Sequence, residues 1–561
     1  MTNEHIHLPP EVKSQLEHRN DRPNVVGVLL SIKTMEAVKA SPKLSALADR
    51  TRKVCTRLIQ SPQFAPVLLA AILVWEFGDL LFGASKKLLW YDELLTFHVS
   101  GLQPFSVFWR ALKAGADGMP LGYYLLVRLV RILPGDPLVT LRLPSIVGYL
   151  MTLLAVYWFA RKRLPAFAGL AAVFLTTLSP FRGYAIEARS YALLVGFLAI
   201  AAVLWQRIDE KRFMTPLFAL FLTLVVAFHY LAVVALAPFG IAELVWTLRS
   251  RRIRWRVWAT CVLATAPFFI SLPIIQHYKD LFGKNFWSQS SWGMLLSTYG
   301  FYAGLDTPWA VFLFTLVLIA FLWLVVDNGL LPMWQTTREG SPNENNFTPP
   351  EVVLFSGFLC FPALLIVLTK LLHSGYTPRY GWPAILGLVW GSVYLVRTIW
   401  LKSFSIYLLV ALMIAFAYQG VSDVRKLSKA RSSTIDERWI SLAELSRSEP
   451  GIPVVIGSPI VYLEAAEYAP PELRDRIVDV VDEYTAARLV HADTADRTNR
   501  LLSQFIPLHV EDRAAFQAAH QKFILRSDGN FDWFTEYVLE QKFHMRLLSR
   551  DTWSSLYIAE R

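Results

Sequence analysis

Long apolar segments constrain this chain more than any other feature. From Phe64 to Gly420 the sequence runs repeatedly through stretches of apolar residues, separated by charged or proline-containing segments. A helix that crosses a bilayer needs about 20 such residues. The composition agrees, because 54% of the residues are hydrophobic and only 18% are charged, whereas ordinary soluble domains carry about 25% charge. The pattern therefore predicts an α-helical polytopic membrane protein with soluble extensions.

The basic residues give these segments a direction, because Lys and Arg concentrate in cytoplasmic loops. Clusters such as Arg161-Lys162-Arg163 and the arginines from Arg249 to Arg256 follow alternate apolar segments. The formal charge of +11 is therefore interpreted as loop charge, not as a nucleic-acid surface. About eleven spans are predicted in the cell (inner) membrane, with the N-terminus cytoplasmic and the C-terminus outside. Their approximate positions are 64–83, 139–160, 165–180, 190–206, 214–228, 231–248, 257–273, 308–326, 352–371, 382–397 and 404–420.

Two shorter segments of the first outer loop are predicted to lie in the membrane interface. Pro120 to Leu133 is too short to span and carries Arg128 and Arg131 on one helix face. This pattern is typical of interfacial helices, and Pro104 to Lys113 is similar. If the first segment were a span instead, the acidic residues at 92–93 and at 187 would face opposite sides of the membrane.

Changes of composition predict three domains. Residues 1–62 form a polar cytoplasmic tail, 63–420 the transmembrane domain and 421–561 an extracytoplasmic α/β domain. In the last domain, strand-like and helix-like segments alternate, which favours a layered fold with a partly parallel sheet. The predicted strands are Ile452–Ile456, Ile477–Val481, Lys522–Leu525 and Met545–Leu548, and the predicted helices are Ile460–Tyr468, Ala495–Phe505 and Trp533–Lys542.

The adjacent carboxylates of Asp92 and Glu93 are the first candidates for chemistry. They lie in a loop after the first span, where a simple anchor has no need of two acids. One carboxylate can act as a general base while its neighbour orients it, and the pair can also bind a divalent metal ion. His98 is near enough in the chain to join them. The alternative is structural, namely an acidic turn or a cap of the following helix.

Further ionisable residues lie at the ends of later spans, on the same predicted side. Glu187 is flanked by Arg182 and Arg189, and Arg379 precedes an apolar segment. Charges at membrane depth are costly and usually face a cavity, and a planar guanidinium suits phosphate oxygens. The alternative for residues 182–189 is a local ion pair that ends two helices. Tyrosines at span ends are also common in interfacial belts. The aromatic candidates at such positions are His229, Tyr230 and Tyr380, and a further candidate, Tyr123, lies in the segment Pro120 to Leu133.

Six motifs follow one another along the chain. They are Trp90-Tyr91-Asp92-Glu93, Met119-Pro120-Leu121-Gly122-Tyr123-Tyr124, Leu141-Arg142-Leu143-Pro144-Ser145, Ser179-Pro180, Glu187-Ala188-Arg189-Ser190-Tyr191 and Arg379-Tyr380-Gly381-Trp382-Pro383. In their order and spacing, these motifs resemble bacterial GT-C fold glycosyltransferases. The similar subgroup includes protein O-mannosyltransferases, aminoarabinose transferases and rhizobial galacturonosyltransferase-like proteins. The resemblance covers about residues 64–245 and continues weakly to 383. Gly122 departs from it, since many relatives have a second proline there.

The resemblance implies a polyprenyl-phosphate sugar donor, an active site at the outer face and inversion at the anomeric carbon. Carried onto this sequence, Asp92 is the catalytic residue, Glu93 its companion and Glu187 the acid of the second loop. The arginines at 182, 189 and 379, with Tyr380, are predicted to bind the donor phosphate. The substrate pocket is predicted to include His98, Tyr123, His229 and Tyr230.

We therefore predict an inverting glycosyltransferase that takes a sugar from a polyprenyl phosphate to an acceptor hydroxyl on a lipid or a protein. Cofactor use is left open, because two adjacent acids permit a divalent cation without requiring one. A flippase or transporter of lipid-linked sugars is the first alternative. It is disfavoured because transporters usually show internal repeats and helices broken near mid-membrane. The second alternative is a non-catalytic membrane assembly protein, for which Asp92, Glu187 and Arg379 would be dispensable together.

Overall fold

The computed structural model describes residues 63–304, 346–372, 374–399, 404–429, 437–529, 531–551 and 554–561. The predicted cytoplasmic tail at 1–62 and the predicted span at 308–326 lie outside these residues. Backbone contacts divide the chain into Met1–Leu68 and Leu69–Arg561. All the contacts described below belong to the second unit.

Apolar helices dominate the first part of the chain, which is that of a membrane protein, as predicted. Among the described residues, four helices are long and apolar enough to cross a membrane, and two bent helix pairs raise this number to six. Four shorter apolar helices accompany them. The count of eleven spans stays a prediction. The α-helices are Phe64–Lys86, Tyr91–Gly101, Phe105–Ala114, Leu121–Val130, Pro137–Thr140, Leu143–Arg161, Ala166–Thr177, Tyr191–Gln206, Met214–Phe228, Leu236–Ser250, Trp255–Leu263, Ala266–Phe282, Gly293–Ala303, Pro349–Leu359, Phe361–Leu371, Ala384–Ile399 and Phe404–Lys429.

Within the described residues, three 3-10 turns interrupt these helices where charged or aromatic residues gather. They are Pro180–Ile186, Tyr230–Ala235 and Pro378–Gly381. Each carries or adjoins a residue that the sequence proposed for the site. The last helix, Phe404–Lys429, continues through the predicted domain boundary at 420.

Both segments predicted as interfacial helices are helical, and their position in the interface stays a prediction. The segment that carries Arg128 and Arg131 fixes a third helix that was not predicted. Arg128 donates to the backbone oxygens of Ser100 and Leu102, each at 2.8 Å, and Arg131 donates to that of Phe97 at 2.6 Å. These carbonyls end the helix Tyr91–Gly101, hereafter the acid helix. Because the last carbonyls of a helix lack partners within it, the two arginines satisfy the C-terminal end of the acid helix.

Close packing of two glycines joins the helix that follows the 180–190 loop to an earlier helix of the membrane part. Gly148 lies on Leu143–Arg161 and Gly196 on Tyr191–Gln206, and a Cβ at Gly196 would collide with the backbone oxygen of Gly148. Small residues allow helix backbones to approach closely in membranes. This packing holds the loop with Glu187 and Arg189 against the rest of the membrane part.

The C-terminal part is a six-stranded sheet with helices, in the order β3-β2-β1-β4-β6-β5. Strands β1 to β4 pair in parallel, whereas β6 pairs antiparallel with both β4 and β5. The strands are β1 Val454–Ile456, β2 Ile477–Val481, β3 Val510–Asp512, β4 Lys522–Ser527, β5 His544–Arg550 and β6 Ser555–Glu560. The helices are Glu437–Ser446, Pro459–Tyr468, Pro471–Arg474, Glu483–Val490, Thr494–Leu502, Arg513–Ala519 and Trp533–Glu540.

The predicted fold class, a helical membrane protein with a small C-terminal α/β domain, is confirmed. All four predicted strands and all three predicted helices of this domain are present. The prediction missed β3, which has only three residues, and β6. Apolar residues of the parallel strands, such as Val454, Ile477 and Ile524, are fully buried between the helix layers, as expected for a covered parallel sheet.

Candidate active site

The acid helix begins at Tyr91, and Glu93 caps it. The backbone N–H of Trp90 donates to Oε2 of Glu93 at 3.4 Å, which satisfies one of the unpaired groups at the helix start. Carboxylates in the first helical turn are also favoured by the helix dipole. Asp92 and Glu93 are therefore fixed on a regular helix, where adjacent side chains point about 100° apart.

Glu93 is bound to a fully buried arginine. Arg142 donates from Nε and Nη2 to the two oxygens of Glu93, at 2.8 and 2.7 Å, and both side chains are 0% exposed. The remaining N–H groups of Arg142 donate to the backbone oxygens of Ala84, Lys87 and Leu88. Glu93 also accepts from the backbone N–H of Ala188 at 2.7 Å. The pair therefore ties the start of the acid helix to the 84–88 segment and to the 180–190 loop.

These bonds occupy the carboxylate of Glu93. Both of its oxygens accept hydrogen bonds, so its catalytic role stays a prediction, and the mechanism proposed below does not use it. Among the described residues, no three His, Cys, Asp or Glu side chains are grouped so as to hold a metal ion. The side chains of Asp92 and Glu93 thus do not fit a shared metal site, and no step proposed below uses one.

Asp92 faces two arginines that come from distant parts of the chain. Its Oδ2 accepts from Nη1 of Arg379 at 2.6 Å and lies 4.0 Å from Nε of Arg189. The Asp92 side chain is 12% exposed. Its Oδ1 makes no hydrogen bond within the described part of the chain. Asp92 is thus a carboxylate with one oxygen held by arginine and the other available.

Asp117 completes the charge balance of this centre, and its role was not predicted. Arg189 donates to Oδ2 of Asp117 at 3.1 Å and to the backbone oxygen of Asp92 at 3.0 Å. Tyr124 donates to the same Asp117 oxygen at 2.5 Å. Arg189 is therefore held mainly by protein groups, so Arg379 is the more available of the two cations. A lone aspartate between two interfacial helices gave no sequence signal, although a buried arginine does require a carboxylate partner.

Glu187 lies on the other side of the same centre, beside Lys87. Its Oε1 is 3.6 Å from Nζ of Lys87, and its side chain is 18% exposed. Burial, opposed by the charge of Lys87 and reinforced by that of Glu93, raises the pKa of Glu187 above its ordinary value. Glu187 can therefore exchange a proton at a higher pH than a solvated glutamate.

Aromatic rings surround the guanidinium of Arg379. Its central carbon is 5.6 Å from the ring of Trp90, 5.6 Å from that of Trp287 and 6.0 Å from that of Tyr191. Cation–π contacts at these distances favour a fixed guanidinium. Tyr380 packs against His229, with ring centroids 5.4 Å apart, at the edge of this group. Burial and the two nearby arginines lower the pKa of His229 to about 4, so its imidazole is neutral at pH 7.

Several polar atoms of this centre are buried without a partner. In the part of the chain that the structure describes, they are Nε of Arg189, Nε of Arg379, Oε2 of Glu187, Nδ1 of His229 and Nε1 of Trp90. Buried polar groups in folded proteins are nearly always hydrogen-bonded to protein or water. The concentration of such atoms around Asp92 is therefore expected of a site that binds a polar, anionic ligand.

The structure gives Arg182 and His98 partners other than those predicted, whereas the pocket roles of Tyr123 and Tyr230 stay predictions. Arg182 is bonded to Glu76, Asp79 and Asp423, so three carboxylates occupy the guanidinium that was predicted to bind phosphate. Nε2 of His98 lies 3.4 Å from Glu467 of the C-terminal domain and not beside Asp92. Tyr123 is completely buried, and its hydroxyl, like that of Tyr230, has no hydrogen-bond partner among the described residues.

Glu187→Gln should stabilise the protein more at high pH than at low pH. A raised carboxyl pKa means that the folded state favours the protonated form, so ionisation of Glu187 lowers the free energy of unfolding as the pH rises through that pKa. We expect the melting temperature of the variant, relative to wild type, to increase between pH 5 and pH 8. The exposed Glu444→Gln serves as the control. A difference between variant and wild type that does not change with pH would contradict this expectation.

Fold and site together describe a polytopic membrane protein with a carboxylate–arginine centre between its helices and a C-terminal α/β domain. No protein-family model and no curated protein matches the sequence. Among solved structures, the chain is similar to ArnT from Cupriavidus metallidurans bound to undecaprenyl phosphate, at 14% identity and a TM-score of 0.46, over 89% of this chain and 98% of that one. ArnT is an aminoarabinose transferase, one of the groups that the sequence motifs resemble.

Two archaeal structures are also similar to this chain. One is an oligosaccharyltransferase from Archaeoglobus fulgidus tethered to an acceptor peptide, at 10% identity and a TM-score of 0.38. The other is the oligosaccharyltransferase AglB from the same organism in complex with an inhibitory peptide and a dolichol-phosphate, at 11% identity and a TM-score of 0.36. Each alignment covers 88% of this chain and 74% of the other.

Proposed function

We propose that this chain is an inverting glycosyltransferase that moves a sugar from a polyprenyl phosphate to an acceptor hydroxyl at the outer face of the membrane. The observation that carries the proposal is the Asp92–Arg379 pair. It combines a carboxylate oxygen without a partner in the described residues with an arginine whose Nε is also unpaired there. Proton removal and phosphate binding need these two groups side by side.

The geometry supports a single displacement. Oδ1 of Asp92 takes the proton of the acceptor hydroxyl while that oxygen attacks the anomeric carbon of the donor. The bond between this carbon and the phosphate oxygen breaks, and the polyprenyl phosphate leaves with the bonding electrons. Because attack and departure occur on opposite faces of the sugar, the configuration at the anomeric carbon inverts.

Arg379 stabilises the negative charge that grows on the phosphate. A fixed donor aimed at a developing charge is usually the largest single contribution to catalysis. The rings of Trp90, Trp287 and Tyr191 fix the guanidinium, and Arg189 adds positive charge behind it. The prenyl tail would lie between the apolar helices, which orients the head group at the site.

Arg379→Lys should lower kcat by about 100-fold or more while leaving the protein folded, because lysine keeps the charge but loses the planar fork. The measurement is transfer by purified protein from a panel of radiolabelled prenyl-phosphate sugars, with membranes as the source of acceptor and with or without a chelator. Arg488→Lys is the matched control, because Arg488 pairs with Glu540 on an exposed face of the C-terminal domain. Transfer by Arg379→Lys within twofold of wild type would contradict the role of Arg379. Failure of the wild type to transfer any sugar of the panel would contradict the proposed function.

A further inference from the structure

One helix of the C-terminal domain contacts both walls of the candidate site, namely the segment that carries Asp92 and the segment beside Arg379. This bridging helix, Thr494–Leu502, has Asp493 as its N-cap and Asn499 in its second turn. About 9 Å separates these two positions along a helix axis. Asn499 holds the segment that carries Asp92, and Asp493 holds the segment that leads to Arg379.

The first contact fixes the start of the acid helix. Tyr91, the neighbour of Asp92, is buried, and its hydroxyl donates to Oδ1 of Asn499 at 3.3 Å. Two further contacts from the helix Pro459–Tyr468 flank this one. The hydroxyl of Tyr468 accepts from the backbone N–H of Leu89 at 2.9 Å, and Glu467 lies 3.4 Å from His98. The C-terminal domain therefore holds the chain before, at and after Asp92.

The second contact fixes the aromatic wall beside Arg379. Nδ2 of Asn285 donates to Oδ2 of Asp493 at 3.0 Å. Two residues later, the ring of Trp287 stacks on the Arg379 guanidinium at 5.6 Å. The next residue, Ser288, bonds through its backbone oxygen and its hydroxyl to the backbone of Tyr376, at 3.1 and 2.6 Å. The segment that precedes Arg379 is thereby fixed to the Asn285 loop.

The bridging helix is itself anchored in the C-terminal domain. Nδ2 of the fully buried Asn499 donates to Oδ2 of Asp479 on β2 and to the backbone oxygen of Pro459, both at 2.8 Å. One helical turn earlier, Asp496 accepts from Nε1 of Trp533 at 2.8 Å. Because Asn499 is bonded both to the sheet and to Tyr91, it fixes the position of Tyr91 relative to the sheet.

We propose that the bridging helix sets the separation of Asp92 and Arg379, and that Asn499 and Asp493 are positioning residues for transfer. This inference rests on the proposed function for its catalytic part only. Asp92 and Arg379 are 287 positions apart and lie on separate elements. A third element that contacts both segments is therefore needed to hold the two side chains at a fixed distance. Small displacements of reacting groups cost large factors in rate.

The test uses the full chain with Tyr91→Phe and Asn285→Ala, which remove one hydroxyl and one amide and leave the core packed. We expect backbone amides of residues 89–96 and 284–290 to exchange with deuterium roughly 3- to 10-fold faster, the effect of losing about one hydrogen bond at each wall. We expect kcat to fall by about 10- to 100-fold while the KM for the prenyl-phosphate sugar changes less than twofold. Arg447→Gln, which breaks an exposed pair with Glu472, is the control.

Unchanged exchange at both segments would overturn the proposal. Faster exchange with an unchanged kcat would overturn the positioning role of Asn499 and Asp493. Hydrogen exchange needs no substrate, so it tests the mechanical link even if the wild type transfers no sugar. That last result would contradict the proposed function, and it is therefore distinguishable from a failure of this inference.

Discussion

We expect Asp92→Asn to lower the kcat of the proposed sugar transfer by about 100- to 10,000-fold, the range that a general base contributes. The amide cannot take a proton from the acceptor hydroxyl. Its oxygen can still accept from Arg379, as Oδ2 of Asp92 does at 2.6 Å, so the variant should still insert and fold, with a lower melting temperature because Arg379 loses its carboxylate partner. The measurement is the transfer rate of purified protein together with its melting temperature in the same detergent.

Asp136→Asn is the matched control for this substitution. Asp136 is the N-cap of the short helix Pro137–Thr140 and accepts from the backbone N–H of Leu138. Asparagine is an equally good cap, so both transfer and melting should remain at wild-type values. Full activity of Asp92→Asn would remove Asp92 from the mechanism.

Arg142→Met should destabilise the protein by about 3–5 kcal/mol, the typical cost of leaving one buried charge unpaired. Glu93 would keep its charge at 0% exposure without the guanidinium that now holds both of its oxygens. The backbone oxygens of Ala84, Lys87 and Leu88 would lose their donor as well. Chemical denaturation in detergent micelles measures the change in the free energy of unfolding.

Two comparisons isolate the cause of this loss. Arg488→Met breaks an exposed ion pair with Glu540, which is expected to cost about 0–1 kcal/mol. In the double variant Glu93→Gln/Arg142→Met the buried charge is gone, so stability should partly recover. If the double variant is no more stable than Arg142→Met alone, the unpaired charge is not the cause.

Features that are local in sequence could be predicted. Apolar segments gave the helices, because the signal of a membrane span lies within the span itself. The segment with Arg128 and Arg131 was predicted to be helical and contains the helix Leu121–Val130, and both arginines bond to the end of the acid helix. Asp92, Glu187 and Arg379 were predicted as site residues because they are charges at the ends of apolar segments. The structure groups them around one centre.

Features that depend on which face of a helix is buried could not be predicted. Asp92 and Glu93 are neighbours of the same charge, and only the position of Arg142 shows that both oxygens of Glu93 are bonded to a buried arginine. The partner of Arg189 could not be predicted either, because Asp117 lies 72 positions away in a segment without a recognisable sequence pattern. Arg182, like Arg379, is an arginine at the end of an apolar segment, yet three carboxylates bind it.

The product of the reaction tests the proposed transfer most directly. Purified wild-type protein is given a polyprenyl-phosphate sugar of known anomeric configuration together with the membrane fraction that accepts it, and both products are analysed. We predict one polyprenyl phosphate released for each sugar transferred, and a new glycosidic bond of the opposite anomeric configuration. Retention of the donor configuration, or no transfer by the folded protein from any sugar of the panel, would contradict a single displacement at Asp92 and Arg379.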